Sequence, residues 1–212
     1  MVKYYTVLGE GEATQVIEKS KFIGYVREVH SRDDADKFFN EIRQKHKDAT
    51  HNVPAFVIGD KMELKWASDD GEPQGTSGPP ILKLLENEGL TNVAVIVTRY
   101  FGGTLLGTGG LARAYTSAAK EAVKAAGYAE VFEAVSVRSE IEYQYFDKLK
   151  NKFSPDEYLV SDVEYLEKIT LTISTKVEKE QELLEGISSI TAGTGKIISK
   201  IIEDVKSPLS EK

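Results

Sequence analysis

The chain of 212 residues is long enough for one large domain or two small ones, and its hydrophobic content of 41% is ordinary for a folded protein. Its net charge of −7 argues against broad, non-specific nucleic-acid binding, which depends on neutralising phosphates with Lys and Arg. The chain contains no cysteine, which excludes disulfides, thiol nucleophiles and thiolate metal sites.

The first 126 residues predict an alternation of strands and helices. β-Branched and aromatic runs bounded by turn residues predict five strands, at Ala13–Ile17, Phe22–Val26, Asn52–Ile58, Glu63–Ala67 and Val93–Val97. Ser31, with Asp34 three residues later, indicates the N-cap of a helix that ends near Lys47. Residues 81–88 predict a short helix, and the Ala-rich run Leu111–Ala126, which stops at Gly127, predicts a longer one.

A polar loop rich in Gly and Pro, Ser68–Pro80, precedes the short helix. Loops of this length in compact domains are often functional. Asp69 and Asp70 are candidate ligand-binding residues that, with Glu72, could hold a hard cation, although an Asx-type turn before Gly71 is the favoured interpretation. A trio of His51, Asp69 and either Ser68 or Ser77 stays open as a catalytic arrangement. The spacing of the three histidines matches no metal-binding motif, so we predict no metal site.

Five glycines lie within nine residues between the fifth strand and the long helix: Gly102, Gly103, Gly107, Gly109 and Gly110. Glycine costs backbone entropy, so this density predicts positive φ angles or a ligand against bare backbone. A Gly-rich loop that enters a helix also directs free N–H groups at one point, where an anion binds well. No Asp or Glu occurs from Gly89 to Lys120, whereas Arg99 and Arg113 do. We therefore predict an anion site formed by the five glycines, Arg99 and Arg113, in surroundings free of acid; a purely structural connection is the alternative.

Two nucleotide-binding patterns are incomplete in this chain. Gly107–Ala112 matches the dinucleotide fingerprint, but nine residues separate it from Val97, whereas in that fold the turn follows the strand directly. Gly195-Lys196 resembles the end of a P-loop, but the first glycine and the Ser/Thr of that motif are missing. We predict neither of these nucleotide folds.

The remainder of the chain predicts the element order βαββαβ. Strands are predicted at residues 135–143, 156–165, 168–174 and 196–205, and helices at residues 144–152 and 177–190. This order is typical of a split-βαβ, ferredoxin-like fold. We therefore expect two domains, formed by residues 1–130 and residues 131–212.

Several segments resemble the IMPACT family, in its bacterial YigZ-like branch. The longest are Asp69-Asp-Gly-Glu-Pro73 with Gly75-Thr-Ser-Gly-Pro79, and Thr98-Arg-Tyr-Phe-Gly-Gly103 with Gly109-Gly-Leu-Ala-Arg-Ala-Tyr115. Lys21-Phe-Ile-Gly and Thr50-His-Asn are also similar to the family's residues. Two long motifs in the right order make this resemblance specific, and it covers essentially the whole chain. Val53 is a departure, because many members carry Cys there.

The resemblance implies an α+β protein of two domains. The first would be an α/β sandwich similar to the second domain of a small-subunit ribosomal protein and to domain IV of elongation factor G, a fold that small-molecule kinases share. The second would be similar to the ferredoxin-like last domain of elongation factor G, in agreement with the βαββαβ order. Eukaryotic relatives regulate translation, and bacterial members have no settled catalytic residues. Fold similarity alone does not define a function.

These observations favour a cytoplasmic, non-enzymatic factor in translation or its regulation, which contacts RNA or the ribosome through the Gly-rich loop and its arginines. A small enzyme that holds a phosphate-bearing ligand in the same loop is the first alternative, and a protein-interaction module is the second. The longest apolar run, Val93–Val97, is far shorter than the roughly 20 residues needed to cross a bilayer, so we expect no membrane contact. The sequence indicates no cofactor and leaves the oligomeric state open.

Overall fold

The computed structural model describes residues 2–153 and 157–209. These residues form two antiparallel sheets with five α-helices, and they divide into two compact units, mainly Tyr4–Glu130 and Val131–Ser207. The elements in chain order are β1 Val2–Val7, β2 Gly11–Ile17, β3 Ser20–Glu28, α1 Arg32–Lys45, β4 His51–Ile58, β5 Leu64–Ala67, α2 Gly78–Asn87, β6 Val93–Tyr100, α3 Gly107–Ala126, β7 Tyr128–Ile141, α4 Tyr143–Lys152, β8 Tyr158–Tyr165, β9 Ile169–Lys176, α5 Glu180–Ile190 and β10 Lys196–Leu209. The prediction of an α+β protein is confirmed.

The sheet of the first unit has helices on both faces. Its strand order is β2-β3-β6-β4-β5, and every pair of neighbours is antiparallel. Alternate side chains of a strand point to opposite faces. One face packs against α2 and α3 through residues such as Val53, Val97 and Ala118, and the other packs against α1 through residues such as Ile96 and Phe39. β6 lies at the centre of the sheet, which explains why its apolar run is continuous rather than alternating.

The first helix begins where its capping signal predicts. Ser31 has an extended backbone, and its side-chain oxygen accepts a hydrogen bond from the Asp34 amide. The predicted apolar face is also confirmed, since Ala35, Phe38, Phe39 and Ile42 are all buried. The helix ends at Lys45, two residues before the predicted end.

Three connections are shorter than predicted. The turn between β2 and β3 consists of Glu18 and Lys19, with φ angles of 45° and 66°, rather than of residues 18–21. α2 begins at Gly78, because the two prolines after it need no amide partner in the first turn of a helix. α3 begins at Gly107 and not at Leu111, so three of the five predicted loop glycines belong to its first turn.

The second unit contains the predicted element order βαββαβ. β7, β9 and β8 are neighbours in that order with antiparallel pairing, and β10 also pairs with β7. Val137, Leu171, Leu149 and Leu183 belong to a core that the sheet shares with α4 and α5. The predicted start of β8 at Asp156 lies outside the described residues. β10 exposes four large apolar side chains, those of Ile197, Ile198, Ile201 and Ile202.

Gly24 in β3 allows α3 to lie directly against the sheet of the first unit. A Cβ atom at Gly24 would lie 2.4 Å from the Ala118 carbonyl oxygen and 3.0 Å from the Ala122 Cβ. Both neighbours belong to the Ala-rich face of α3, and the carbonyl is a backbone atom that cannot rotate away. The close approach of helix and sheet therefore requires glycine at this position.

We expect Gly24→Ala to lower the free energy of unfolding of the first unit by about 1–3 kcal/mol, because the added methyl group forces α3 away from the sheet. Urea unfolding followed by fluorescence measures this change, since Trp66 is the single tryptophan and packs against Phe39 and Phe56 of the same unit. Gly9→Ala is the matched control, because a Cβ there would meet nothing within 4 Å. Equal midpoints for the two variants would contradict the packing argument.

Candidate ligand-binding site

A cavity of about 390 Å³ opens where the ends of β4 and β6 meet the start of α3. Its walls come from four segments that are distant in sequence: Thr50–His51, Glu72–Pro73, Arg99–Phe101 and Leu105–Leu111. His51 and Arg99 are directly opposed in the antiparallel pairing of β4 with β6. They share the face that carries Val53 and Val97, so the apolar core continues into this polar end.

Arg99, Glu72 and Tyr115 form a buried polar network at one wall of the cavity. The Arg99 Nη1 donates to Glu72 Oε1 at 2.6 Å, and the Tyr115 hydroxyl donates to the same oxygen at 2.7 Å. Arg99 and Glu72 are 4% and 8% exposed, and Tyr115 is fully buried. Burial, with the hydrogen bond to Glu72, raises the pKa of Tyr115 far above its usual range, so this hydroxyl stays a donor.

The Arg99 guanidinium is held in place but is not fully satisfied. It lies 5.4 Å from the centre of the Phe22 ring and 5.3 Å from that of Phe101, and its Nη2 donates to the Ser20 hydroxyl at 3.3 Å. Its Nε is buried and has no hydrogen-bond partner among the described residues. A buried donor without a partner costs free energy.

His51 presents one ring nitrogen to the cavity side of this network. Its Nδ1 lies 2.7 Å from the backbone oxygen of Asp70. Because a carbonyl oxygen only accepts, Nδ1 donates, and in the neutral ring Nε2 carries the free lone pair. Nε2 lies 3.8 Å from Glu72 Oε1, beyond hydrogen-bond distance.

The N-terminus of α3 forms the opposite wall. Its N-cap residue is Leu106, whose side chain makes no capping hydrogen bond, and its first turn contains no acidic residue. The first four amides of a helix lack intrahelical acceptors and carry the positive end of the helix dipole. Gly107 and Thr108 line the cavity, so these amides belong to the site.

Asp69 organises the loop before α2 and is not among the residues that line the cavity. Its Oδ1 accepts hydrogen bonds from the Ser77 and Gly78 amides and from the Ser77 hydroxyl, and its Oδ2 accepts one from the Gly75 amide. Asp69 therefore caps α2 from nine residues upstream of the helix start, in place of the N-cap residue Ser77, whose side chain makes no capping bond.

Asp70 has a similar structural role. Its carboxylate accepts from the Asn52 amide at 2.6 Å, and its φ of 48°, with 85° at Gly71, places it in a tight turn closed by the Glu72 amide and the Asp69 carbonyl. His51 bonds the Asp70 backbone, whereas Ser77 bonds Asp69, so these contacts do not join His51, Asp69 and Ser77 into a catalytic trio. Among the described residues, no group of three or more His, Asp and Glu side chains is placed to hold a metal ion.

The remaining predicted residues surround the cavity without lining it. Gly102 is needed for packing, since a Cβ there would lie 2.0 Å from the Lys19 carbonyl carbon, and Gly103 has a φ of 85° in open space. Arg113 lies over the first turn of α3, with Nη1 3.6 Å from the position that a Gly109 Cβ would take. A Cβ at Gly110 would lie 3.0 Å from the Leu106 Cβ.

One expectation about this site is wrong. The carboxylate-free window from Gly89 to Lys120 predicts surroundings without acid, yet Glu72 enters from the loop before α2 and pairs with Arg99. No sequence pattern predicts that His51 lines the cavity or that Tyr115 bonds Glu72. Glu72, His51 and Tyr115 all lie in segments that carry the family resemblance, which is the signal that could have joined them.

Known proteins are similar to this chain in the same segments. A family model described as the Impact N-terminal domain matches residues 18–123, half of the 212 residues, and that range contains every residue that lines the cavity. The chain belongs to the IMPACT family. IMPACT family member YvyE of Bacillus subtilis (strain 168) is 34% identical over an alignment of 212 positions, which covers 96% of this chain and 97% of that protein.

Solved structures resemble this IMPACT family member to different degrees. The crystal structure of a protein described as hypothetical is 26% identical, covers 94% of this chain and 98% of its own, and has a TM-score of 0.59. The two-domain translational regulator Yih1 is 24% identical over 57% of this chain and 46% of the Yih1 chain, with a TM-score of 0.35. No helix among the described residues is long and apolar enough to cross a membrane.

We expect Arg99→Met to lower the free energy of unfolding by about 3–5 kcal/mol, because it leaves the Glu72 carboxylate buried without its cation. The double variant Arg99→Met/Glu72→Gln should be clearly more stable than the single one, since Gln removes the charge and still accepts from Tyr115. Urea unfolding followed by Trp66 fluorescence measures both. A double variant that loses as much stability as the single variant would show that the buried charge is not the cause.

The carboxylate of Asp69 should stabilise the fold in a pH-dependent way. Burial alone would raise the pKa of Asp69, but the hydrogen bonds from Gly75, Ser77 and Gly78 together outweigh burial and hold this pKa below its usual range. A carboxyl group whose pKa is lower in the folded state stabilises it above the unfolded-state pKa of about 3.9, and this contribution is lost as the pH falls through the folded-state pKa.

We therefore expect Asp69→Asn to cost about 0.5–2 kcal/mol of unfolding free energy at pH 7, the usual range for loss of a helix cap, and less as the pH falls below about 4. Urea midpoints from pH 7 to pH 3 for the variant and the wild type give this difference. The exposed Asp48→Asn serves as the control. A difference that is constant over this pH range would contradict the role of the ionised carboxylate.

Proposed function

We propose that this IMPACT family member binds a phosphate-bearing ligand in the cavity between Arg99 and the N-terminus of α3. The observation that carries the proposal is a helix N-terminus with Leu106 as its N-cap residue and no acid in its first turn, which lines the same cavity as Arg99. A helix N-terminus and an arginine are the two groups that proteins most often use to hold phosphate. The Gly-rich segment thus contributes helix amides beside the ion pair of Arg99 with Glu72.

The other walls of the cavity favour a ligand with an apolar part. Phe101 and Leu105 are 46% and 87% exposed at the cavity, and Leu106 and Leu111 also line it. The volume of about 390 Å³ lies within the usual range of about 300–1,000 Å³ for small-ligand pockets. A nucleotide combines a phosphate with a flat ring that can stack on Phe101, so it is the ligand class that we propose.

The nucleotide has two sources that share this chemistry, a free nucleotide and a phosphorylated end of an RNA. The RNA source extends the expectation of a factor in translation or its regulation, and membership of the IMPACT family supports it. Because Arg99 is buried in a concave site, an RNA would contact it through one terminal nucleotide rather than through a run of backbone phosphates. Arg113, on the exposed side of the first turn of α3, would meet the neighbouring nucleotide.

We also propose that the two compact units correspond to the expected domains 1–130 and 131–212. The helices on both faces of the first sheet support the expected similarity to the ribosomal-protein second domain and to domain IV of elongation factor G. The strand order β7-β9-β8, the pairing of β10 with β7 and the element order βαββαβ support a ferredoxin-like second domain.

We expect the amides of Gly107 and Thr108 to show the first chemical-shift changes when inorganic phosphate or AMP is added, followed by amide NMR. Thr108→Glu should weaken phosphate binding at least about tenfold, because its carboxylate competes for the same amides. Thr108 is exposed, and an acidic residue near a helix N-terminus is favourable, so this variant should fold. Thr116→Glu, two turns further along α3, is the matched control.

The ligand source is decided by comparing AMP with a short RNA that carries either a 5′-phosphate or a 5′-hydroxyl. Tighter binding of the phosphorylated RNA than of AMP identifies an RNA end, and equal binding identifies a free nucleotide. Phosphate-induced shifts confined to other parts of the chain, or unchanged binding by Thr108→Glu, would refute the proposal. A protein-interaction module would then be the better interpretation of this surface.

A further inference from the structure

The position of His51 is fixed by a rigid turn. The Asp70 carbonyl accepts a hydrogen bond from His51 Nδ1. Asp70 is itself held by two further hydrogen bonds: its amide donates to the Ser68 hydroxyl at 3.2 Å, and its carboxylate accepts from the Asn52 amide. The hydrogen bond at Nδ1 therefore fixes the orientation of the imidazole and the tautomer in which Nε2 is the acceptor. Such an arrangement orients the second nitrogen of a histidine in many acid–base sites.

The free nitrogen of His51 faces a second acceptor across a short gap. Nε2 and Glu72 Oε1 are 3.8 Å apart, and both accept when the imidazole is neutral. Two acceptors at this distance are suited to one water molecule that donates a hydrogen bond to each. The Glu72 oxygen is kept in position by Arg99 and Tyr115, so the pair forms a preorganised place for a nucleophile.

This place adjoins the proposed anion site. His51 and Glu72 line the same cavity as Gly107 and Thr108 at the start of α3. A phosphate held there would share this cavity with the water that His51 orients. The cavity therefore combines a base, a held nucleophile and fixed positive groups for the charge of a phosphoryl centre.

We infer that His51 is the general base in the hydrolysis of a phosphate ester bound in this cavity, an inference that rests on the proposed phosphate site. His51 Nε2 accepts a proton from a water molecule, and the oxygen of that water forms a bond to phosphorus while the bond from phosphorus to the ester oxygen breaks. The leaving oxygen takes the proton back from the imidazolium. The products are an alcohol and inorganic phosphate, or a phosphomonoester where the substrate is a diester.

The test uses p-nitrophenyl phosphate and bis(p-nitrophenyl) phosphate as probes of a monoester and a diester. Nitrophenolate leaves without protonation, so its release reports the base step alone. His51→Asn places an amide donor where Nδ1 lies and has no group at the position of Nε2, so the contact with Asp70 is kept. We expect kcat/KM to fall about 10²–10⁴-fold in this variant, the usual contribution of a general base. The exposed His30→Asn is the matched control.

Two further readouts separate a base from a structural residue. The Kd for inorganic phosphate, measured by amide NMR, should stay within twofold of the wild-type value in His51→Asn. The pH profile of kcat/KM should differ between the wild type and the variant, because the variant lacks the base that accepts the proton. His51→Gln, with an amide near the position of Nε2 but no base, should show the same loss of rate and guards against a folding defect in the first variant.

The outcomes distinguish this inference from the proposed function. If phosphate binds at Gly107 and Thr108 but neither ester is hydrolysed, or if both His51 variants keep the wild-type rate, the general base is refuted and the binding site stands. If phosphate does not bind there, both proposals fail. Hydrolysis that depends on His51, with binding unchanged, establishes the activity.

Discussion

The buried ion pair between Arg99 and Glu72 joins three parts of the fold at one point. Arg99 lies near the end of the central strand β6, Glu72 in the loop before α2, and Tyr115 in the third turn of α3, and all three meet at one carboxylate oxygen. A buried arginine is costly without such a partner, since it cannot lose its charge. The loop must therefore fold back over the end of the sheet, and that requirement explains why its aspartates are occupied with turns and caps.

The same ion pair determines which charge a ligand would meet. Arg99 and Glu72 largely cancel each other, so a ligand's negative charge is not attracted by a bare cation. The excess positive potential therefore comes from the amides of α3. A site of this kind selects a compact anion by geometry, in contrast to the wide basic surfaces that bind nucleic-acid backbone.

The sequence was a good guide to elements and a poor one to the site. Ser31 with Asp34, the face of α1 and the βαββαβ order are local patterns, and each is found in the structure. The cavity depends on the pairing of His51 with Arg99 across two strands that are about 40 residues apart, which no local period encodes. Closeness in sequence suggests that Glu72 acts together with Asp69 and Asp70, whereas the turn at Gly71 separates it from them and it bonds Arg99. Glycine is typical of loops, so the sequence predicts a loop at Gly107, whereas α3 begins at this residue.

The central position of β6 has a consequence for the order of folding. β2 with β3, and β4 with β5, are hairpins that close short loops and can form quickly from neighbouring residues. They cannot become one sheet until β6, the last of these strands in the chain, inserts between them. Its contacts with β3 span about 70 residues of sequence, so the entropy of closing long loops falls on this step. During synthesis the apolar faces of the two hairpins would stay exposed until β6, the last strand of this sheet to be synthesised, has left the ribosome.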